Sequence, residues 1–130
     1  MTHNAYPHLF GQTTLGSVTM RNRTCVAPMT RISATEDGVP TDIMVDHYQT
    51  YARGGGGLVF TEGTYVDEAH SQGYVNQPGM ANEDHAAGWR RVVDAVHAEN
   101  TPIFQQFIHA GGLIQHNRYE QTGIAPSRVD

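Results

Sequence analysis

Hydrophobic and polar positions change period several times along the chain, and each change marks an element. Residues Leu9 to Met20 hold two short runs, Gln12–Leu15 and Ser17–Met20, with Gly16 between them. Two short runs joined through a glycine predict a small β-hairpin. A strongly apolar strand follows at Thr24–Ala27 and ends at Pro28. The next stretch, Arg31 to Pro40, is polar and carries the turn signal Asp37-Gly38. Thr41 suits the N-cap of a helix over Asp42–Arg53. There Ile43, His47 and Tyr51 recur every four residues, with Met44, Tyr48 and Ala52 beside them. Gly54–Gly57 stops that helix. Leu58-Val59-Phe60 reads as a buried strand running into Thr61-Glu62-Gly63.

A long loop, Asp67 to Ala81, is rich in Gly, Asn, Gln and Pro. Asn82 then caps a second helix, Glu83–Ala98. Trp89, Val92, Val93 and Val96 form its apolar face, with Arg90, Arg91 and Asp94 on much of the rest. Asn100 and Pro102 end it. A third strand, Ile103–Ile108, opens into His109-Ala110-Gly111-Gly112, and the tail to Asp130 shows no clear element. The order is a hairpin followed by β-α-β-α-β. Strands alternating with helices imply parallel pairing with right-handed crossovers. Continuous apolar runs imply strands buried on both faces. Three such strands and two helices cannot close a barrel, so the expectation is the N-terminal part of a longer α/β protein.

Composition narrows the chemistry. The chain has 130 residues, 38% of them hydrophobic and 16% charged, as a globular protein does. Its formal net charge is −5, with no basic cluster to grip nucleic acid. All eight basic residues are arginines. Without a lysine amine this segment holds no P-loop, pyridoxal Schiff base or Schiff-base aldolase site. One cysteine, Cys25, excludes an internal disulfide and any CxxC site. Lying in an apolar run, it reads as a buried, inert thiol, compatible with the cytoplasm. The first twenty residues lack a signal-peptide pattern, and no run approaches a membrane span.

Several motifs have plain readings. Asp67-Glu68-Ala69-His70 spells a helicase box, but the phosphate loop it works with is missing. Asn22-Arg23-Thr24 spells a glycosylation sequon, and nothing suggests secretion. Gly54–Gly57 follows a helix and precedes a strand, so it is a tight turn rather than a phosphate cradle. The eight histidines show no metal-ligand spacing.

The ends of the strands carry more. Strand one leads into Pro28-Met29-Thr30, strand two into Thr61-Glu62-Gly63, and strand three contains Gln105-Gln106. Ligands of parallel α/β proteins bind at the carboxyl ends of strands. A hydroxyl at Thr30, a glycine at Gly63 that permits close approach, and a glutamine amide suit a flat, hydrogen-bonding ligand. The plainer alternative is that the two glutamines satisfy buried backbone groups.

Leu9-Phe10, Asn22-Arg23, Ala27-Pro28-Met29-Thr30-Arg31 and Asp37-Gly38-Val39-Pro40-Thr41 recur in one family in this order. So do the glycine-rich turn before Leu58-Val59-Phe60-Thr61-Glu62-Gly63, Trp89 with Val96-His97, Gln106-Phe107-Ile108-His109-Ala110-Gly111, and Ala125-Pro126-Ser127. As a set, over nearly the whole chain, they resemble the opening of the old yellow enzyme family of FMN-dependent NAD(P)H oxidoreductases. The resemblance implies that residues 1–130 are the N-terminal portion of a single FMN-binding (β/α)₈ TIM-barrel domain. The hairpin would cover the base of that barrel.

It also implies roles. Ala27, Pro28, Met29 and Thr30 would line the flavin after strand one, with the Thr30 hydroxyl near a flavin carbonyl. Gly63 would lie beside the flavin, and Gln106 would bond its pyrimidine edge. Ile32 and Ile108 match positions that line the substrate pocket. Two positions depart from the pattern. Gly112 stands where the family commonly has Arg, and Ile32 stands near where a subgroup has Tyr. The family's substrate-binding His-His or His-Asn pair, proton-donating tyrosine and phosphate-binding residues come later in its chains, so no catalytic residue is assigned here.

The activity so implied is reduction of activated alkenes, such as enones, by FMN with NADH or NADPH as reductant. The partner is a small α,β-unsaturated molecule, with no role for nucleic acid or membrane, and a homo-oligomer is compatible. Two other readings stay open. One is a relative with a downstream iron–sulfur cluster, acting on dienoyl-CoA or amines. The other is an inactive half-barrel or binding module.

Overall fold

In the computed structural model, residues 5–120 and 123–127 are described. Residues 128–130, part of the tail read as free of regular structure, lie outside the described residues. Pro7 opens a single helical turn, α1 (Pro7–Phe10), which the hydrophobic pattern did not announce. The hairpin follows as β1 (Thr13–Leu15) and β2 (Val18–Met20), antiparallel, with Thr13 opposite Met20. Gly16 takes φ 58°, a left-handed value that costs glycine little.

The expected strand at Thr24–Ala27 is shorter, β3 (Cys25–Val26). The two helices have the expected bounds, α2 (Asp42–Arg53) and α3 (Glu83–Ala98). Asn82 caps α3 as read, its side chain accepting a 2.9 Å bond from the His85 amide. The second parallel strand, β4 (Leu58–Tyr65), is longer than its apolar start, and β5 (Ile103–Ile108) is as expected. The three strands pair in parallel in the order β3-β4-β5. They form an open sheet, the opening β-α-β-α-β segment of a (β/α)₈ barrel.

The helices pack on one face of this sheet. Met44, Tyr48 and Ala52 of α2 meet Trp89, Val92 and Val96 of α3 over Val59 of β4. Burying each of the larger side chains contributes about 1.5–3 kcal/mol. The indole nitrogen of Trp89 donates to the Gly79 carbonyl at 2.9 Å. Only one of the two apolar columns of α2 enters this core. Ile43 is 66% and Tyr51 40% exposed, because that column lies beside the open edge of the sheet.

The same open edge corrects two expectations. Cys25 is exposed rather than buried. It lines a cleft with Ala27, Met29, Tyr51 and Gly54 along β3. Burial on both faces holds for β4 but not for β5, whose last three residues are exposed. An edge strand lacks a neighbour on one side, so an apolar sequence alone does not bury it.

At the amino ends of the strands the hairpin is tied to both helix-to-strand turns. Arg21 donates to the Glu99 carbonyl and the Thr101 hydroxyl. Asn22 donates to the Gly55 carbonyl at 2.8 Å. The hairpin therefore sits at the base of the sheet, as the resemblance implied. Gly54–Gly57 form the tight turn expected, and Gly57 passes so close to Asn22 that a Cβ would fall 2.4 Å from its carbonyl oxygen.

Candidate functional site

The opposite end of the sheet is organised by one irregularity in β4. Phe60 pairs with Phe104, but the next pair is Gly63 with Gln106. Two residues of β4, Thr61 and Glu62, thus face one of β5. Such a bulge inverts the alternation of side chains beyond it. Before it, Val59 faces the helices and Phe60 stacks edge-on with Phe104 on the other face. After it, Glu62 turns toward the helices and Gly63 takes the face shared with Gln106 and Ile108. The Thr61 hydroxyl accepts the Gln106 amide at 3.0 Å and occupies the ladder position that the bulge vacates.

Most of the residues singled out in the sequence lie at this end and face solvent. Ala27, Pro28, Met29, Thr30, Ile32, Gln106 and Ile108 are exposed, and Gly63 is buried beneath them. A Cβ on Gly63 would lie 3.1 Å from Cγ2 of Ile108 and 3.5 Å from Oε1 of Gln106. The Thr30 hydroxyl meets the Tyr74 hydroxyl at 3.2 Å rather than a backbone group. Gln105 and Gln106 do not satisfy backbone groups either. The Gln105 side-chain amide reaches Thr64 Oγ1 at 3.4 Å, and among the described residues the Gln106 side-chain amide makes no hydrogen bond. Thr30, Gly63 and Gln106 therefore share the carboxyl end, with the buried glycine under Ile108 and an unengaged side-chain amide beside it.

Three residues that hold this end in place were not picked out by sequence pattern. Glu62 is fully buried. One oxygen accepts the amides of Arg31 at 2.8 Å and Ile32 at 3.1 Å, and the other accepts the Tyr48 hydroxyl at 3.3 Å. Burial pushes the carboxyl above its usual range, while these hydrogen bonds and the Arg31 charge pull it back. Tyr48 also accepts the Glu62 amide at 2.8 Å, and burial with the neighbouring carboxylate drives its own pKa up. Gln77 spans the next loop, accepting from Gly73 at 2.7 Å and donating to the Gly63 carbonyl at 3.0 Å. A Glu immediately before the key glycine was visible in the sequence, but its burial was not.

A second buried group braces the loop before α2. His85 accepts the Ala81 amide through Nδ1 at 3.0 Å, so Nε2 carries the proton and donates to the Asp37 carbonyl at 2.7 Å. The Tyr65 hydroxyl donates to the same carbonyl at 3.0 Å.

A parallel β-α-β-α-β sheet with polar groups gathered at its carboxyl end is the opening of the (β/α)₈ class of barrel, whose sites lie at that end. Sequence comparison then fixes the family. The profile of the NADH:flavin oxidoreductase / NADH oxidase family matches residues 8–129. The chain belongs to that family. It is 40% identical over 103 residues to a chanoclavine-I aldehyde reductase of Penicillium roqueforti, covering 79% of this chain. It is 40% identical over 116 residues to a probable flavin mononucleotide-dependent alkene reductase of Leishmania infantum, covering 89% of this chain. Morphinone reductase in complex with tetrahydroNAD superposes with a TM-score of 0.74 at 37% identity over 82% of this chain. The chain spans 28% of the length of each of these three proteins.

Proposed function

We propose that these residues form the opening wall of an FMN site in a cytoplasmic ene-reductase, with NADH or NADPH as reductant and an activated alkene, such as an enone, as substrate. The observation that carries the reading is Gly63 at the carboxyl end of β4, a side-chain-free stretch of main chain that lies under Ile108 and beside the Gln106 side chain. A flat isoalloxazine ring fits against a backbone that carries no side chain, and its polar edge needs donors of the kind Gln106 and Thr30 hold out. Similarity to an alkene reductase and to a structure holding a nicotinamide analogue supports the same reading.

When bound, FMN would supply the hydride chemistry. This chain's part is binding and orientation. Ala27, Pro28 and Met29 would pack against the ring, and Thr30 would donate to a ring carbonyl. Gly63 would allow close approach, and Gln106 would bond the pyrimidine edge. Ile32 and Ile108, both exposed at this end, would exclude water from the bound alkene.

The test is purification of the complete protein. It should be yellow, release FMN on denaturation, and oxidise NADH or NADPH in the presence of a cyclic enone. A colourless protein that FMN cannot reconstitute would overturn the reading.

A further inference from the structure

Ile32 adopts φ 49°, in the left-handed region that a β-branched residue rarely enters. Strain of this kind persists only where the surroundings over-determine it. Here the surroundings are specific. The amide of Ile32 and that of Arg31 before it both point at one oxygen of Glu62. Glu62 is in turn held from the α2 side by Tyr48, which bonds both its carboxylate and its amide. The bulge is what delivers Glu62 to this place. Without it the carboxylate would share the face of Phe60, and Gly63 would face the helices.

We infer that Glu62 is a positioning residue, whose buried carboxylate holds the left-handed turn at Ile32 and so fixes Thr30 and Ile32 at the carboxyl end with Gly63. Its link to catalysis rests on the flavin reading above, but the contact itself does not. Burying a carboxylate is costly, and a neutral side chain of similar shape would serve the core as well. Charge matters here because a carboxylate is about twice as strong an acceptor as a neutral oxygen. Two amides on one oxygen use that strength to hold a backbone conformation that isoleucine resists. One residue thus couples a helix of the core, the bulge of β4 and the solvent-facing loop.

The experiment compares the complete protein with Glu62→Gln, Tyr48→Phe and the double variant Glu62→Gln with Ile32→Asn. Amide hydrogen exchange is read residue by residue, together with flavin midpoint potential and the split between KM and kcat. Glu62→Gln is expected to speed exchange at Arg31 and Ile32 roughly tenfold while α3 and β5 keep their protection. The potential and KM should move with it. Asparagine enters the left-handed region readily, so Ile32→Asn should return the exchange rates toward wild type. Tyr48→Phe should give the same change at residues 31 and 32, in smaller measure. Wild-type exchange at both residues in Glu62→Gln would overturn the proposal. So would an even loss of protection across β4, β5 and α2, the mark of a core role alone. If Glu62→Gln does not fold, unchanged exchange at residues 31 and 32 in Tyr48→Phe overturns it instead. A wild-type protein without flavin would sink the flavin reading, and the exchange rates would still decide for or against Glu62.

Discussion

The two ends of the three-stranded sheet are built by opposite rules. At the base, side chains bind backbone. Asn22 accepts the Thr24 amide at 2.9 Å and donates to Gly55, Arg21 donates to the Glu99 carbonyl in the turn after α3, and Gly57 leaves no room for a methyl group. At the carboxyl end, side chains are held from below and left open above. Glu62, Gln77 and Tyr74 fix the loops, while Thr30, Ile32 and Gln106 face solvent. The base uses its polar groups up on itself, and the other end keeps some in reserve. In a barrel of this kind stability is concentrated at one mouth and chemistry at the other.

That contrast breaks most visibly at Gly57. A Cβ there would meet backbone that cannot swing aside, so Gly57→Ala should cost about 3 kcal/mol, read as a shift in the denaturant midpoint of the complete protein. Asn22→Ala should come next. It strands the Gly55 carbonyl and the Thr24 amide, at a cost of roughly 1–3 kcal/mol by the same measurement. Neither variant should alter the flavin midpoint potential of protein that still folds.

Thr30→Ala should show the reverse. The side chain is exposed, so stability should stay within about 0.5 kcal/mol. If the hydroxyl donates to a flavin carbonyl, the potential should fall by roughly 20–60 mV, since a bond to a charged acceptor is worth about 1.5–3 kcal/mol and about 30 mV corresponds to 1.4 kcal/mol. Spectroelectrochemistry of wild type and variant decides it. An unchanged potential in a variant that keeps its flavin would remove Thr30 from that role.

The smallest effect concerns pH. The carboxyl of Glu62 titrates above its unfolded value, because burial opposes its charge. The folded protein therefore holds this proton more tightly than the unfolded chain. Its contribution to stability is fully present below the unfolded pKa and is lost as pH rises through the folded one. Arg31 and Tyr48, the groups facing it, soften that loss without changing its sign. Glu62→Gln should flatten this part of the stability profile above about pH 4.3, and near neutrality it should unfold no more easily than wild type. Denaturant midpoints measured between acid and neutral pH check it. A variant markedly less stable at pH 7 would show the carboxylate to be a net stabiliser, against its raised pKa.

Local signals were strong wherever one residue type decides one backbone event. The hairpin glycine, the Asn82 cap and the glycine stop after α2 all lie where the sequence put them. Both helices begin and end at the expected residues, because their period, cap and terminator agree. A glutamine of β5 near Gly63 was likewise legible, but the residue pattern left Gln105 and Gln106 open, and the register sets Gln106 opposite Gly63. Burial was less legible. Cys25 and the end of β5 read as buried from their apolar neighbours, but edge position exposes them.

What the sequence determined by itself was the order of elements, their parallel pairing and the end of the sheet where polar groups gather, since these follow from period, caps and the handedness of short crossovers. What only the tertiary structure decided was which way the residues of β4 point and what holds the loop above them. The bulge at Thr61 and Glu62 leaves no trace in a run of buried residues, because either face would read the same. It is the contact with Tyr48, fourteen positions away, that shows the carboxylate turned toward the helices, and the pairing with Gln106 that puts the glycine on the other side.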